Sequence, residues 1–467
     1  MQQEAQVVMA GAGLCGMATS LLLARSGRRV CLVERDPATF DNGAEDALQM
    51  RRMGVPHFHQ PHAFMPRAFA LLRSRLPDVF DTLRSCGATQ LDLAPADGPR
   101  VAGDEDLIFL GVRRPLVEWA LRRAVRDEPG IEICRARITG LSFRDDSPPE
   151  LRGLLTEAGP IEGSLVVDAM GRTSPTPEWL AARGIELTTE SSDVGIVYYS
   201  RYYRLLDGAD MPPAASPFGP RVDHVFASAA TFIGDNRTYA IVVMVPTWDT
   251  ELKALRQPAA FEAFCRASPI LATLVDPARA AAITEILPMG ALKTAWHGFE
   301  KMPVRRLVGI GDSFCHTDPS FALGISNALI HASALADAAA AHDDVDVAAA
   351  FYARVTGELR ERFTFARDVC AARIERMQGR SVPISRTGCY PLYSLMATLA
   401  CASLDPEIHR MAFRRHGFLD RLSQFDEDAA MQARVEVLFA QLLVRMRDMP
   451  RLERSELLAL IAPDGTH

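Results

Sequence analysis

Three glycines between an apolar run and a helical stretch constrain this chain more than any other feature. The run Gln6–Ala10 precedes Gly11-x-Gly13-x-x-Gly16, and a helix-periodic segment follows. The first glycine permits a tight turn, the second lets backbone N–H groups approach a pyrophosphate, and the third lets the helix pack on the strand. The start of a helix also favours an anion. The pattern therefore predicts a strand–helix–strand unit that binds a dinucleotide.

A carboxylate at the end of the next predicted strand narrows the choice of dinucleotide. The apolar run Val30–Val33 ends at Glu34, which lies 23 residues after Gly11. A carboxylate at that position accepts hydrogen bonds from ribose hydroxyls and disfavours a 2′-phosphate, so FAD or NAD fits better than NADP. We include Arg35, the next residue, among the candidate cofactor-binding residues. The alternative is a glycine-rich turn in an unrelated α/β fold.

The composition excludes several classes of partner. Lys and Arg number 51 against 58 Asp and Glu, and this net charge of −7 supplies no positive field for nucleic acid. No apolar run reaches the length of about 18 residues that a membrane span needs, so we expect no integral membrane contact. The nine cysteines show neither zinc-ligand spacing nor a disulfide framework. These features predict a cytoplasmic protein without a metal site.

Changes in pattern along the chain predict four segments. Residues 1–184 form the first part of a Rossmann-like domain, and residues 301–345 return to it with a buried strand and a long helix. Residues 185–300 are rich in β-branched and aromatic residues, which predicts an inserted, mainly antiparallel sheet that binds substrate. Residues 346–467 have helical periodicity to the end. The predicted fold class is therefore α/β, with an inserted sheet and a helical C-terminal region.

Some local predictions are more specific. Residues 37–60 are predicted as loop and Pro66–Leu83 as one helix. The arginines of residues 354–380, which alternate with glutamates, are interpreted as a solvated helix face. Four tyrosines occur as two adjacent pairs on a predicted strand, so one member of each pair faces the sheet interior. They line a substrate pocket or pack within the sheet, and we favour packing: Tyr198, Tyr199, Tyr202 and Tyr203.

A second motif decides between the dinucleotides. Gly311-Asp312 follows a predicted strand, Pro319 lies seven residues after the aspartate, and Gly324 begins a predicted helix. This pattern resembles the second flavin motif of the group A FAD-dependent monooxygenases. In that family the aspartate binds a ribitol hydroxyl, and the loop and helix start face the isoalloxazine. The resemblance implies that Asp312, Pro319 and Gly324 bind FAD.

Further segments match the same family in order and spacing, over residues 5–330. Asp168-Ala-Met-Gly171-Arg172 is similar to its middle Asp-Gly motif. Arg113-Arg114-Pro-Leu-Val-Glu118 resembles a segment whose arginine lies near the FAD phosphates, a role that we assign to Arg114. The loop of residues 54–63 resembles that of a branch which includes polyene epoxidases, although Gln60 stands where that branch has histidine. The usual Tyr-Gly-Gln-Gly approach to the flavin is also altered, because residues 321–324 are Phe-Ala-Leu-Gly.

The resemblance implies an enzyme, an FAD-dependent oxidoreductase with a GR2-type FAD-binding domain. The implied activity is monooxygenation: one oxygen atom of O2 is inserted, by epoxidation or hydroxylation, through a flavin C4a-hydroperoxide. The apolar character of residues 185–295 favours a hydrophobic small molecule, and a natural product, as substrate. The flavin carries this chemistry, so we assign no catalytic acid or base. With no second GxGxxG, NAD(P)H docks transiently or a partner flavin reductase supplies the electrons.

Other activities of related flavoproteins remain as alternatives. An FAD-dependent reductase or dehydrogenase of the geranylgeranyl reductase type is compatible with the sequence. A flavin-binding sensor or assembly subunit is a non-enzymatic alternative. Flavin halogenases rely on a lysine in the first domain and on Trp-x-Trp-x-Ile-Pro, whereas the first lysine here is Lys253 and Trp-x-Trp is absent. Halogenation of the known type is therefore excluded.

Histidines and cysteines near the motifs have simpler interpretations than metal or redox chemistry. His57, His59 and His62 lie in a proline-containing loop without carboxylates at helical spacing, which argues against a metal site. By resemblance, His62 is a candidate residue lining the flavin. Cys15 and Cys315 flank the two flavin loops but do not form a CxxC pair, so packing is the better interpretation.

Overall fold

The computed structural model describes residues 6–36, 43–144, 146–211, 220–447 and 452–462. Its strands, in chain order, are β1 (Gln6–Ala10), β2 (Arg29–Glu34), β3 (Thr89–Asp92), β4 (Ile108–Gly111), β5 (Ile131–Arg135), β6 (Ile138–Arg144), β7 (Glu150–Thr156), β8 (Gly159–Glu162), β9 (Leu165–Asp168), β10 (Thr189–Asp193), β11 (Ile196–Leu205), β12 (Arg221–Asp223), β13 (Ser228–Ile233), β14 (Thr238–Pro246), β15 (Ala280–Ala282), β16 (Leu287–Met289), β17 (Lys293–His297), β18 (Leu307–Gly309) and β19 (Cys315–His316). Its α-helices are α1 (Leu14–Arg25), α2 (Ala44–Ala47), α3 (Pro66–Arg75), α4 (Pro77–Ser85), α5 (Arg114–Asp127), α6 (Thr176–Ala181), α7 (Pro258–Arg266), α8 (Pro269–Ala272), α9 (Leu323–Ala341), α10 (Val347–Met377), α11 (Tyr390–Cys401), α12 (Pro406–His416), α13 (Gln424–Glu427), α14 (Ala429–Arg447) and α15 (Arg454–Ile461).

A parallel sheet carries the first predicted motif. Its strand order is β18-β9-β1-β2-β5, and all neighbouring strands run parallel. β1 and β9 are buried almost throughout, as expected for strands covered on both faces. Helix α1 follows β1 and packs against α9. The loops after β1, β9 and β18 therefore meet at the carboxyl edge of the sheet, where α/β folds bind ligands.

An antiparallel sheet forms the predicted insertion. Its order is β12-β13-β14-β11-β15, and β16 also pairs with β11. The long pair β11–β14 forms its centre, with Tyr198 opposite Met244. One face of this sheet contributes to a core with α7 and α15, which includes Phe264 and Leu457. The combination of a parallel sheet, an antiparallel insertion and C-terminal helices confirms the predicted fold class.

The main difference from the predicted elements lies in the segment Pro66–Leu83. It forms two helices, because Leu76 precedes Pro77 and leaves the helical region with φ −133°. The predicted loop of residues 37–60 contains the short helix α2 in its described part, while residues 37–42 lie outside the described residues. The C-terminal helical prediction likewise includes residues 448–451 and 463–467, which lie outside them. The four segment boundaries stay predictions.

The described helices lack membrane-spanning character. None of those in residues 6–36, 43–144, 146–211, 220–447 and 452–462 combines the length and the apolar character that crossing a membrane requires.

Candidate active site

One cavity, of about 360 Å³, lies between the carboxyl edge of the parallel sheet and one face of the antiparallel sheet. All but one of the residues predicted to bind cofactor line it: Gly11, Gly13, Glu34, Arg35, Arg114, Asp312, Pro319 and Gly324. The exception is Gly16, which lies behind the first loop. The structure thus brings together residues that are more than 300 positions apart in the sequence.

The three glycines of the first loop have three different environments. Gly11 adopts φ +99°, which only glycine adopts readily. A Cβ on Gly16 would lie 2.0 Å from the Gly11 carbonyl oxygen, so this position requires close packing of helix and turn. A Cβ on Gly13 would meet nothing within 4 Å, and Gly13 lines the cavity at the uncapped start of α1. The loop therefore leaves space and backbone donors for a ligand.

Glu34 is held in place by a buried arginine that the sequence analysis missed. The Glu34 carboxylate accepts hydrogen bonds from the backbone N–H groups of Ala12, at 3.0 Å, and Asp36, at 2.9 Å. It also pairs with Arg52 at 2.9 Å. Arg52 is only 6% exposed and reaches Glu118 at 2.5 Å. No spacing in the sequence links Arg52 to Glu34 or Glu118, since only the fold brings its loop against α5.

Arg114 lies on the cavity and is fixed by two neighbours. Its Nε donates to Glu118 at 2.8 Å, and its NH1 donates to His62 Nε2 at 3.1 Å. Burial alone would raise the pKa of Glu118, but Arg114 and Arg52 lower it below its usual range. Arg113, by contrast, forms a buried pair with Asp235 and does not line the cavity. The geometry therefore favours Arg114 over Arg113 as the residue that faces a ligand.

The three histidines of residues 57–62 contact different groups. His59 Nε2 lies 2.6 Å from the Met50 carbonyl oxygen, and His57 accepts from Arg172 at 3.2 Å. His62 Nδ1 lies 2.7 Å from the Gln60 carbonyl oxygen. Burial, and next the charge of Arg114, lower the pKa of His62 to about 3. Within the described ranges, no set of three His, Cys, Asp or Glu side chains has the arrangement of a metal site.

The second loop is joined to the loop after β9 by buried hydrogen bonds. Ser313 donates to Asp168 at 3.0 Å and accepts from the Gly171 N–H at 2.8 Å. Burial raises the pKa of Asp168. Gly311 has φ +58°, and its N–H donates to Nδ1 of the buried His331 at 2.9 Å. Asp312 lines the cavity, and its carboxylate has no hydrogen bond or ion pair to the rest of the described chain.

The start of α9 forms the cavity wall beyond Pro319. Ala322 precedes the helix with φ +57°, a conformation that costs an alanine roughly 1–2 kcal/mol. A Cβ on Gly324 would meet nothing within 4 Å, so the first turn of α9 leaves space on the cavity side. This helix start has no side-chain cap. Its free N–H groups can therefore stabilise a negative charge placed there.

Cys15 and Cys315, which flank the first and second loops, are packed side chains. Burial raises the pKa of Cys15 to about 12, and burial also raises that of Cys315 well above its usual range. Cys15 lies against Gly311 and donates weakly to the Ala328 carbonyl oxygen at 3.6 Å. Both groups are therefore thiols at neutral pH, which agrees with packing.

The other end of the cavity is mainly apolar and lies under the antiparallel sheet. It is lined by Phe232, Val242, Met244, Met289 and Leu292, together with Tyr198 and Ser200. Of the four tyrosines, Tyr198 lines this wall, whereas Tyr199 and Tyr203 pack in the core on the opposite face. The predicted packing is therefore found for Tyr199 and Tyr203, whereas Tyr198 both packs within the sheet and lines the cavity.

Comparison with known proteins agrees with this arrangement. Residues 4–56 match the family model described as an FAD binding domain. The solved structure of pqsL from Pseudomonas aeruginosa, a probable FAD-dependent monooxygenase, is 17% identical, with a TM-score of 0.57 over 81% of this chain and 99% of that chain. The chain therefore shares the fold of this solved structure. The FAD-binding segment and the fold expected from the resemblance are thus confirmed.

Other proteins with this fold have different activities. The flavin-dependent brominase Bmp2 is 17% identical, with a TM-score of 0.58 over 90% of this chain and 100% of that chain. The Diels-Alderase PyrE3, from the biosynthetic pathway of pyrroindomycins, is 16% identical, with a TM-score of 0.56 over 89% of this chain and 81% of that chain. Comparison with curated protein sequences finds no match. The reaction must therefore be argued from the site itself.

Proposed function

We propose that this chain is an FAD-dependent monooxygenase that inserts one oxygen atom of O2 into a hydrophobic small molecule, by epoxidation or hydroxylation. The observation that carries the proposal is the continuity of the cavity. At one end are the glycine loop, Glu34 and Asp312, and at the other is an apolar chamber under the antiparallel sheet. A cofactor held at the first end would place its reactive part beside a substrate held at the second.

The residues present fit FAD. Gly13 and Gly324 leave open space on the cavity side, as a closely approaching ligand requires. Glu34 and Asp312 offer carboxylates for the hydroxyls of the ribose and the ribitol chain. Arg114 and the start of α1 would bind the pyrophosphate. When bound and reduced, FAD supplies the activation of O2.

The protein's own contribution is binding, orientation and exclusion of water. The start of α9 would hold a negative charge on the cofactor ring, because its N–H groups are uncapped. The apolar wall around Phe232 and Met244 would exclude water from the substrate. We propose no acid or base on the chain. Electrons come from NAD(P)H that docks transiently or from a partner flavin reductase.

A natural product is the substrate class that we propose. The apolar wall supports a hydrophobic molecule, and PyrE3, which shares the fold, belongs to a biosynthetic pathway. The absence of the halogenase sequence features supports oxygen transfer over halogenation.

Absorbance spectroscopy of the purified protein tests this function. We expect a flavin band that NADPH, or a flavin reductase with NADPH, bleaches without O2 and that returns when O2 is admitted. Without substrate, the return should release peroxide. Turnover that continues without O2 would instead indicate a reductase of the geranylgeranyl reductase type. Absence of a flavin band after addition of FAD would overturn the proposal.

A further inference from the structure

A buried polar cluster joins three elements at the apolar end of the cavity. Tyr198 on β11 donates its hydroxyl hydrogen to Asp318, which lies in the loop before α9. Arg373 on α10 pairs with the other carboxylate oxygen of Asp318. The Ser320 N–H also donates to Asp318, at 2.9 Å, and the Cys370 thiol does so at 3.3 Å. Asp318 is completely buried, and each of its oxygens accepts two hydrogen bonds.

The arginines of residues 354–380 do not all form the solvated helix face that their alternation with glutamates predicts. Arg354 and Arg380 are exposed, but Arg373 turns inward to Asp318, and Arg362 is only 3% exposed. The sequence signal was Asp318 itself, an acidic residue directly before Pro319 in a loop predicted to line the cofactor. A buried carboxylate needs a cation, and α10 supplies it.

The charges in the cluster fix the direction of the Tyr198 hydrogen bond. Burial alone would raise the pKa of Asp318, but Arg373 and the Tyr198 hydroxyl lower it, so the carboxylate stays ionised. Burial, and next the charge of Asp318, raise the pKa of Tyr198 well above its usual range. Tyr198 is therefore a neutral phenol whose single hydrogen is held by an anion. Towards a ligand, its oxygen can only accept.

A second hydroxyl on the same strand face can also only accept a hydrogen bond from a ligand. Ser200 lies two residues after Tyr198, so both side chains point to one side of the sheet. Ser200 donates to Gln60 Oε1 at 2.8 Å, and Gln60 Nε2 donates to the Leu287 carbonyl oxygen at 3.0 Å. The hydroxyl hydrogen of Ser200 is therefore already donated within the protein. The rest of this wall is mainly apolar, including Phe232, although Arg221 and Lys293 also line the cavity. The face therefore offers the two hydroxyl acceptors in a largely hydrophobic surface.

We propose that Tyr198 determines specificity by accepting a hydrogen bond from the substrate, and that Arg373 is a positioning residue that acts on Tyr198 through Asp318. The substrate class is then an apolar molecule that carries at least one O–H or N–H donor. This inference rests on the proposed function for the role of the cavity as a substrate site. A ligand whose only polar group is an acceptor, such as an ether, would leave these oxygens buried without a donor.

Two matched probes test the inference: 2-naphthol, which carries a donor, and 2-methoxynaphthalene, which does not. Their dissociation constants are measured by calorimetry on the FAD-loaded protein. In the wild type we expect 2-naphthol to bind about fivefold to tenfold more tightly, as one hydrogen bond provides. Tyr198→Phe should bring the ratio of the two constants close to one, with little change for 2-methoxynaphthalene.

Variants at Arg373 test whether this residue positions Tyr198 or only stabilises the fold. Arg373→Gln removes the cation that keeps Asp318 ionised, so Tyr198 becomes free to donate, and 2-methoxynaphthalene should bind more tightly than in the wild type. Arg373→Lys keeps the charge and should restore much of the wild-type ratio. Arg367→Gln is the matched control, because Arg367 lies on the same helix in partly exposed pairs with Glu190 and Asp368. It should leave the ratio unchanged.

The outcomes distinguish this inference from the proposed function. Equal ratios in the wild type and Tyr198→Phe, or binding of neither probe to the wild type, would overturn the inference even if FAD binds and O2 is consumed. If the protein binds no FAD, the proposed function fails. The same probe ratio measured on the flavin-free protein then still decides whether Tyr198 accepts from a ligand.

Discussion

At the scale of single residues, the two carboxylates that we propose to bind the cofactor have different surroundings, and this difference predicts different effects of mutation. Glu34 is engaged by Arg52 and by two backbone N–H groups, so its loss would also disturb the protein. The Asp312 carboxylate, by contrast, has no hydrogen bond or ion pair to the described chain. Asp312→Asn should therefore leave folding intact and weaken FAD binding about tenfold to hundredfold, as expected for a hydrogen bond to a charged group.

Fluorescence titration of the flavin-free protein with FAD measures this effect of Asp312→Asn. The control is Asp81→Asn, because the Asp81 side chain is 71% exposed on α4 and makes only a distant pair with Arg84. A dissociation constant equal to that of the wild type in Asp312→Asn would remove the ribitol role from this residue. Equal melting temperatures of all three proteins would show that binding alone has changed.

At the scale of elements, two glycines of the first loop and its helix should have different effects when mutated. Gly16 should matter for stability, and Gly13 should matter for FAD binding. Gly16→Ala places a methyl group 2.0 Å from the Gly11 carbonyl oxygen, so α1 must move away from the turn. We expect a loss of at least 1–3 kcal/mol of stability, as for overpacking. Gly13→Ala meets open space, so the flavin-free protein should unfold as the wild type does. Its methyl group enters the cavity, however, and FAD binding should weaken at least tenfold, about 1.4 kcal/mol.

Urea unfolding without FAD and titration with FAD, carried out on both glycine variants, give the two readouts. A stable Gly16→Ala, or a Gly13→Ala that binds FAD normally, would contradict the roles assigned to these positions.

The same elements show what a sequence can and cannot predict. The glycine loop, Glu34 and the Gly311-Asp312 turn follow local rules of strand, turn and helix, and each lies at the cavity as expected. Arg52 and Arg373 could not be found in that way, because each meets its carboxylates only after distant segments pack. Buried ion pairs between remote elements have no sequence period. The split of Pro66–Leu83, in contrast, follows from a local signal, because Pro77 disfavours the helical conformation of Leu76 before it.

At the scale of the whole molecule, buried neutral histidines predict a loss of stability in mild acid. His331 is completely buried in α9, and burial lowers its pKa to about 3. Burial has the same effect on His62 and His416, to about 3, and on His297, to about 4. Between these values and about 6.5, the unfolded chain binds protons that the folded protein does not, so the free energy of unfolding falls as the pH falls.

For His331 alone, this proton binding lowers the free energy of unfolding by about 2 kcal/mol at pH 5, since each pKa unit corresponds to 1.36 kcal/mol. We therefore expect the free energy of unfolding in urea to drop by several kcal/mol between pH 7.5 and pH 5.0. In His331→Gln the drop should be smaller by about 2 kcal/mol, whereas His342→Gln, at an exposed position, should not reduce it. Because His331 also accepts the Gly311 N–H, protonation of Nδ1 would break a bond that shapes the Asp312 turn. In the folded protein this protonation occurs only near pH 3, so FAD should stay bound between pH 7.5 and pH 5.0 wherever the protein remains folded. Release of flavin from folded protein within that range, measured by fluorescence, would contradict the buried, neutral state of His331.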